Sequence, residues 1–244
     1  MMQIRLRLEY DGTNYCGWQW QSGQDSIQAR LEEALARIFS EQVRVRGAGR
    51  TDAGVHALGQ VASFTSPRPF PIPDLHRALN ALLPNDVVVR EVAEAGDDFD
   101  PRRDARCRVY EYRILNQALA SAFEYRYSWL LRDRLDIDAM NAVAALFVGE
   151  HDFAAFRALG SEVKSTVRRV YLSRWTRDGA RLTYRIEATG FLRRMVRTMA
   201  ATMVEVGRGR MTLEAVAELL GRGDRAPAPA AAPASGLFLV EVRY

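Results

Sequence analysis

One order of elements can be read twice along this chain of 244 residues. Residues 3–9 put Ile4, Leu6 and Leu8 on one face of a strand. Asp25 or Ser26 then caps a helix to about Phe39, whose apolar positions Ile27, Leu31, Leu35, Ile38 and Phe39 keep the 3.6-residue period. Residues 42–46 and 60–65 read as strands on either side of a glycine-rich loop. Pro67, Pro69, Pro71 and Pro73 break regular structure, Asp74 opens a helix to about Leu83, and residues 87–92 form a strand. After the polar stretch 96–106 the order repeats. A strand at 107–115 is followed by a helix from Asp136 through 148, and strands at 167–176 and 181–189 flank the hairpin signal Asp178-Gly179. Helical periodicity covers 191–206 and, more briefly, 212–220. An Ala/Pro-rich stretch at 226–235 precedes a last strand at 237–242.

Each half therefore spells β-α-β-β-α-β, the split β-α-β arrangement of ferredoxin-like folds. The expected fold is α+β, with two tandem ferredoxin-like halves, 1–104 and 105–244. If the halves pack around a pseudo-twofold, their antiparallel sheets join around a central cleft. The halves differ at the hairpin. Where the second has a tight Asp-Gly turn, the first has Gly47, Gly49, Gly54 and Gly59 within thirteen residues. An insertion at one of two equivalent places is where function tends to sit.

Within that loop, Arg50-Thr51-Asp52 sets a cation and a carboxylate one residue apart. Held on a stiff turn beside an arginine, Asp52 suits a nucleophile or general base. The competing reading is an Asx-type turn in which it caps backbone N–H groups. Arg193 and Arg197, i and i+4 on the fourth long helix, are further cations that could meet Asp52 or simply line a solvated face. Tyr110 and Tyr112 share one side of the strand opening the second half, a pattern that fits core packing or a stacking platform for a base. The loop lacks the Gly-Lys-Ser/Thr ending of a phosphate loop and precedes a strand, not a helix.

Composition bounds the partners. Apolar residues make up 48% of a chain long enough to bury a core, and no apolar run nears the roughly 20 residues of a membrane span. The N-terminus reads as a strand and not as a signal peptide. Cys16 and Cys107 lack metal or disulfide spacing, and His56, His76 and His151 are scattered. The expectation is a cytoplasmic protein with no metal and no membrane partner, His56 serving as a structural polar group. Net charge is +4, and 33 of the 34 cations are arginine, clustered at 102, 103, 106 and 108 and again at 193, 194 and 197. Coding bias accounts for much of that excess, yet guanidinium clusters also suit a nucleic-acid surface.

The run Gly-Arg-Thr-Asp-Ala-Gly-Val-His-Ala, 49–57, resembles the catalytic motif of the TruA-type tRNA pseudouridine synthases. The resemblance extends over the chain through Tyr10-Asp-Gly-Thr-Asn-Tyr-Cys-Gly-Trp-Gln19, Ser26-Ile-Gln28, Tyr110-Glu-Tyr112, Gly190-Phe-Leu-Arg-Arg-Met-Val-Arg197 and the ending at 232–244. It implies an isomerase that converts uridines at tRNA positions 38 to 40, in the anticodon stem-loop, to pseudouridine without a cofactor. It implies a homodimer with one tRNA spanning both subunits. By position, Asp52 falls on the nucleophile and Tyr110 on the tyrosine that stacks on the flipped base. Arg197 falls on the cation paired with the aspartate, and Arg50 on the arginine that helps to open the RNA. The sequence departs from the family where Asp100 and Arg103 stand in place of a histidine and an aromatic. The other class considered is a non-catalytic RNA-binding protein of tandem ferredoxin-like halves.

Overall fold

The computed structural model describes residues 2–158, 163–221 and 229–244. Among them the chain forms ten strands and five α-helices, an α+β fold, in two compact units. The first unit is 1–106 with 239–244, and the second is 107–238.

In the first unit, β1 (Met2–Tyr10) lies between β3 (His56–Ser66) and β4 (Val87–Ala95), antiparallel to both. Ile4, Leu6 and Leu8 are fully buried, as their alternation requires. The helix α1 (Ile27–Phe39) starts on Ser26, whose hydroxyl accepts the Ala29 N–H at 3.3 Å, and ends on Ser40 in the left-handed region at φ 61°. Its apolar stripe ends in Phe39, whose ring meets Phe64 of β3 at 6.2 Å and Phe70 at 5.6 Å. The helix α2 (Ile72–Leu82) begins ahead of Asp74 and takes Pro73 into its first turn. Proline costs nothing there because the first-turn N–H groups have no helical partner.

The glycine hairpin is tighter than the sequence suggests. β2 is only Arg46–Gly47, paired with Ser63 and Ala62, and β3 already starts at His56. Residues 48–55 alone form the loop. The shortness of β2 leaves the rest of that edge of β3 to the end of the chain. A Cβ on Gly59 would fall 2.3 Å from the Val240 carbonyl oxygen. The Arg106 N–H donates to the Arg243 carbonyl at 2.8 Å, and Tyr244 packs its ring on Phe99 while donating to the Pro101 carbonyl at 3.0 Å. These contacts group the last six residues with the first unit, whereas the sequence reading closes the second half with them.

The second unit has the strand order β5 (Cys107–Asn116), β9 (Arg181–Ala188), β8 (Val167–Asp178), β7 (Gly149–Asp152), all antiparallel, with β6 (Trp129–Leu131) parallel along the end of β5. Strands β6 and β7 are absent from the sequence reading, being too short for alternation to register. The helix α3 (Ile137–Leu146) is capped by Asp136, which accepts the Ala139 N–H at 3.0 Å. Trp175 stacks on Tyr184 at 5.1 Å, and its indole N–H donates to the Met203 sulfur at 3.1 Å, tying β8 and β9 to α4 (Met195–Gly207). The α4 helix starts four residues later than its periodicity predicts, because Arg194 stands at φ 62° and ends the preceding turn. The helix α5 is Leu213–Gly221. Of the Ala/Pro-rich stretch 226–235, residues 226–228 lie outside the described residues. No helix among the described residues is long and apolar enough to cross a membrane.

Candidate active site

The hairpin turn is held from the side by the segment that follows β1. The Trp18 N–H donates to the Thr51 carbonyl at 3.0 Å, and the Gly54 N–H to the Tyr15 carbonyl at 3.3 Å. Within the turn, the Val55 N–H closes onto the Asp52 carbonyl at 3.1 Å, with Gly54 at φ 76°. The fit leaves no room for side chains at two crossing points. A Cβ on Gly12 would lie 2.0 Å from the Val55 carbonyl oxygen, and one on Gly47 would lie 2.5 Å from the buried Trp18 ring. These glycines serve close backbone approach.

Buried polar groups complete the support. Gln60 is wholly buried and donates from Nε2 to the Gly49 carbonyl at 2.8 Å and to the Tyr10 hydroxyl at 3.4 Å. That hydroxyl is 2.9 Å from Thr51 Oγ1. Desolvation by burial is the largest effect on the Tyr10 phenol and pushes its pKa up to about 12, against the hydrogen bonds to Thr51 and Gln60. His56 is 1% exposed; its Nδ1 accepts the Gly12 N–H at 3.1 Å and stands 3.1 Å from Asp11 Oδ1. One nitrogen cannot accept from the first and donate to the second. Arg50 projects into solvent and Asp52 is half-buried, on either side of the buried Thr51.

The other candidates sit in the second unit. Tyr110, on β5, is 8% exposed and meets Phe191 edge to face at 5.0 Å. Tyr112 is fully buried and donates to the Pro233 carbonyl at 2.9 Å. Arg197, in the first turns of α4, donates from Nε to the Ala232 carbonyl at 2.7 Å while the Ala232 N–H donates to the Arg197 carbonyl at 3.1 Å. Burial drives the Tyr112 phenol well above its ordinary value, and the Arg197 charge opposes that rise. Ala232 and Pro233, where the Ala/Pro-rich stretch meets the motif block that ends the chain, thus clasp Arg197 and Tyr112. A Cβ on Gly236 would meet the Tyr112 ring at 2.7 Å. Arg193 is exposed, and its backbone carbonyl accepts the Ala158 N–H at 2.9 Å.

Sequence reasoning passed over Gln60 and Tyr10 as site residues. A glutamine flanked by Gly59 and Val61 directly after the glycine loop was the available signal: a polar residue on a buried strand must find a partner.

An aspartate and an arginine displayed on a locked hairpin, in an α+β chain rich in arginine, fit an enzyme acting on RNA. Residues 8–104 and 143–244 match the tRNA pseudouridine synthase family, and the chain belongs to that family. Tyr110 falls between the two matched segments. The chain is 48% identical over 244 residues to tRNA pseudouridine synthase A of Geotalea uraniireducens (strain Rf4), covering all of both proteins. It is 46% identical over 244 residues to the protein of that name from Pelobacter propionicus (strain DSM 2379 / NBRC 103807 / OttBd1), again over all of both. With the Myxococcus xanthus protein of the same name it shares 45% identity over 245 residues, all of this chain and 92% of the relative.

Proposed function

We propose that this protein isomerises uridine to pseudouridine in tRNA, with Asp52 as the nucleophile. The observation that carries this reading is the presentation of Asp52 on a turn fixed through the residues around it, in a chain collinear with its relatives from end to end. A carboxylate that must meet one atom of one nucleotide needs such preorganisation, because misplacement by an ångström is costly in rate. Asp52 adds to the target uridine, the N1–C1′ bond breaks, the freed uracil turns, a C5–C1′ bond forms, and the bond to Asp52 is broken again to restore the free carboxylate. The C5 proton leaves and N1 gains one, so reactant and product have the same atoms and no co-reactant is consumed.

A uridine paired in a stem is out of reach and has to be extruded, at a cost of a few kcal/mol. Arg50, exposed beside Asp52, supplies a cation for the displaced backbone. Tyr110 supplies a ring for the extruded base and an acceptor for the C5 proton. By its place in the family motif, Arg197 is the cation assigned as the partner of the aspartate. The targets are the adjacent uridines at positions 38 to 40 of the anticodon stem-loop, and the enzyme works in the cytoplasm as a homodimer.

Release of tritium from C5-labelled uridine in tRNA tests the reading. The wild type should turn over, and Asp52→Ala should abolish release while tRNA affinity and its salt dependence persist. A wild type that binds tRNA without releasing tritium would instead establish the non-catalytic RNA-binding alternative.

A further inference from the structure

We propose that Tyr10, Thr51 and Gln60 form a positioning relay that sets the aim of Asp52. This inference rests on the assignment of Asp52 as nucleophile and adds three residues, none of which touches the reacting atoms. The direction of the Gln60 bonds follows from donor chemistry. The Gln60 amide can only donate from Nε2, and it donates both to the Gly49 carbonyl at 2.8 Å and to the Tyr10 oxygen at 3.4 Å. The Tyr10 hydroxyl in turn lies 2.9 Å from Thr51 Oγ1, a hydrogen bond in which either oxygen can donate. The other side of the amide is occupied as well, since Gln60 Oε1 accepts the Val61 N–H at 3.2 Å.

The relay thus grips the turn at Gly49 and Thr51, the two residues that enclose Arg50 and precede Asp52. Thr51 is held twice, through its hydroxyl by Tyr10 and through its carbonyl by the Trp18 N–H at 3.0 Å. Water cannot substitute for these partners, because Gln60, Tyr10 and Thr51 are 0%, 3% and 6% exposed. A buried network of this kind holds one geometry or pays the desolvation of a lost partner. Stability alone does not require it: an apolar trio of the same shape would pack the same space without specifying where the next residue points.

Isosteric variants separate positioning from packing. Tyr10→Phe and Thr51→Val delete one oxygen each with little change in shape, and Thr51→Ser keeps the hydroxyl. The expected result, on tRNA labelled at C5, is a fall of about 10- to 100-fold in single-turnover tritium release for Tyr10→Phe and Thr51→Val. Unchanged tRNA affinity and near wild-type release by Thr51→Ser belong to the same expectation. Because the two deletions share the Tyr10–Thr51 bond, the double variant should be no slower than the slower single. The proposal is overturned if release stays at the wild-type rate while the melting temperature drops, or if the two deletions multiply. Failure of the wild type itself to release tritium would refute the enzymatic reading and not merely this relay.

Discussion

Gly17 lies against Thr51 so closely that a Cβ on it would stand 2.5 Å from the threonine carbonyl oxygen. The same glycine adopts φ 99°, where a side chain is strained whatever the space around it. Two segments 34 positions apart are thus pressed together at the residue before Asp52. Gly17→Ala is expected to lower stability by about 1–3 kcal/mol in urea unfolding. It should also slow tritium release below the fully folded wild type, because relief of the clash moves Thr51. Loss of stability with full activity would place the strain elsewhere than in the turn.

Tyr110 offers a cleaner separation of ring and hydroxyl. Tyr110→Phe retains the edge-to-face contact with Phe191, so the ring's packing and tRNA affinity should hold. Only the step that removes the C5 proton loses its acceptor. The measurable outcome is slower tritium release after the glycosidic bond has been broken, seen as a lag between nucleotide consumption and proton release. Equal rates for both events, at the wild-type value, would remove the hydroxyl from the mechanism.

Arg197 is held by its own guanidinium as well as by its helix. Lysine lacks an Nε–H donor of matching geometry, so Arg197→Lys should release the Ala232 carbonyl that arginine holds at 2.7 Å. We expect turnover to fall by about tenfold or more, by analogy with other lost charged hydrogen bonds, with the tRNA salt slope unaltered. A parallel drop in the slope would show that Arg197 contacts phosphate.

The turn at Asp100 makes a prediction about acid. The Arg103 and Arg102 N–H groups both donate to Asp100 Oδ1 at 2.8 Å, and together with nearby Arg103 and Arg46 they hold the carboxyl below its ordinary range, against desolvation. A folded value below the unfolded one, about 3.9, gives stability that is complete above that pH and lost as pH falls through the folded value. Thermal melts of Asp100→Asn should therefore lie below wild type at neutral pH, with the gap closing as pH drops beneath about 4. A gap of constant size would mean that the charge of Asp100 contributes nothing. The departure from the family pattern noted in the sequence has a local physical role here: Asp100 caps its own turn and leaves Arg102 and Arg103 exposed.

How far the chain is legible depends on the range of the interaction concerned. Ile4, Leu6 and Leu8 announce β1 because alternation is a local property of a half-buried strand, and the stripe from Ile27 to Phe39 announces α1 for the same reason. The glycines around Asp52 mark an unusual turn, since only a residue without Cβ tolerates such crowding. Local patterns could not reveal that β2 has two residues, that Arg194 delays α4, or that 129–131 and 149–152 are strands. Elements of two to four residues are defined by the neighbour they pair with. Nor could they show Gln60 reaching back 11 positions to Gly49, or Tyr10 reaching forward 41 to Thr51. The sequence alone determined the order of the longer elements, the place of the glycine-rich turn and the family. Tertiary structure decided what grips that turn and where the last strand belongs, because hydrogen bonds between distant residues exist only once register and close approach have brought their atoms within 3 Å or so.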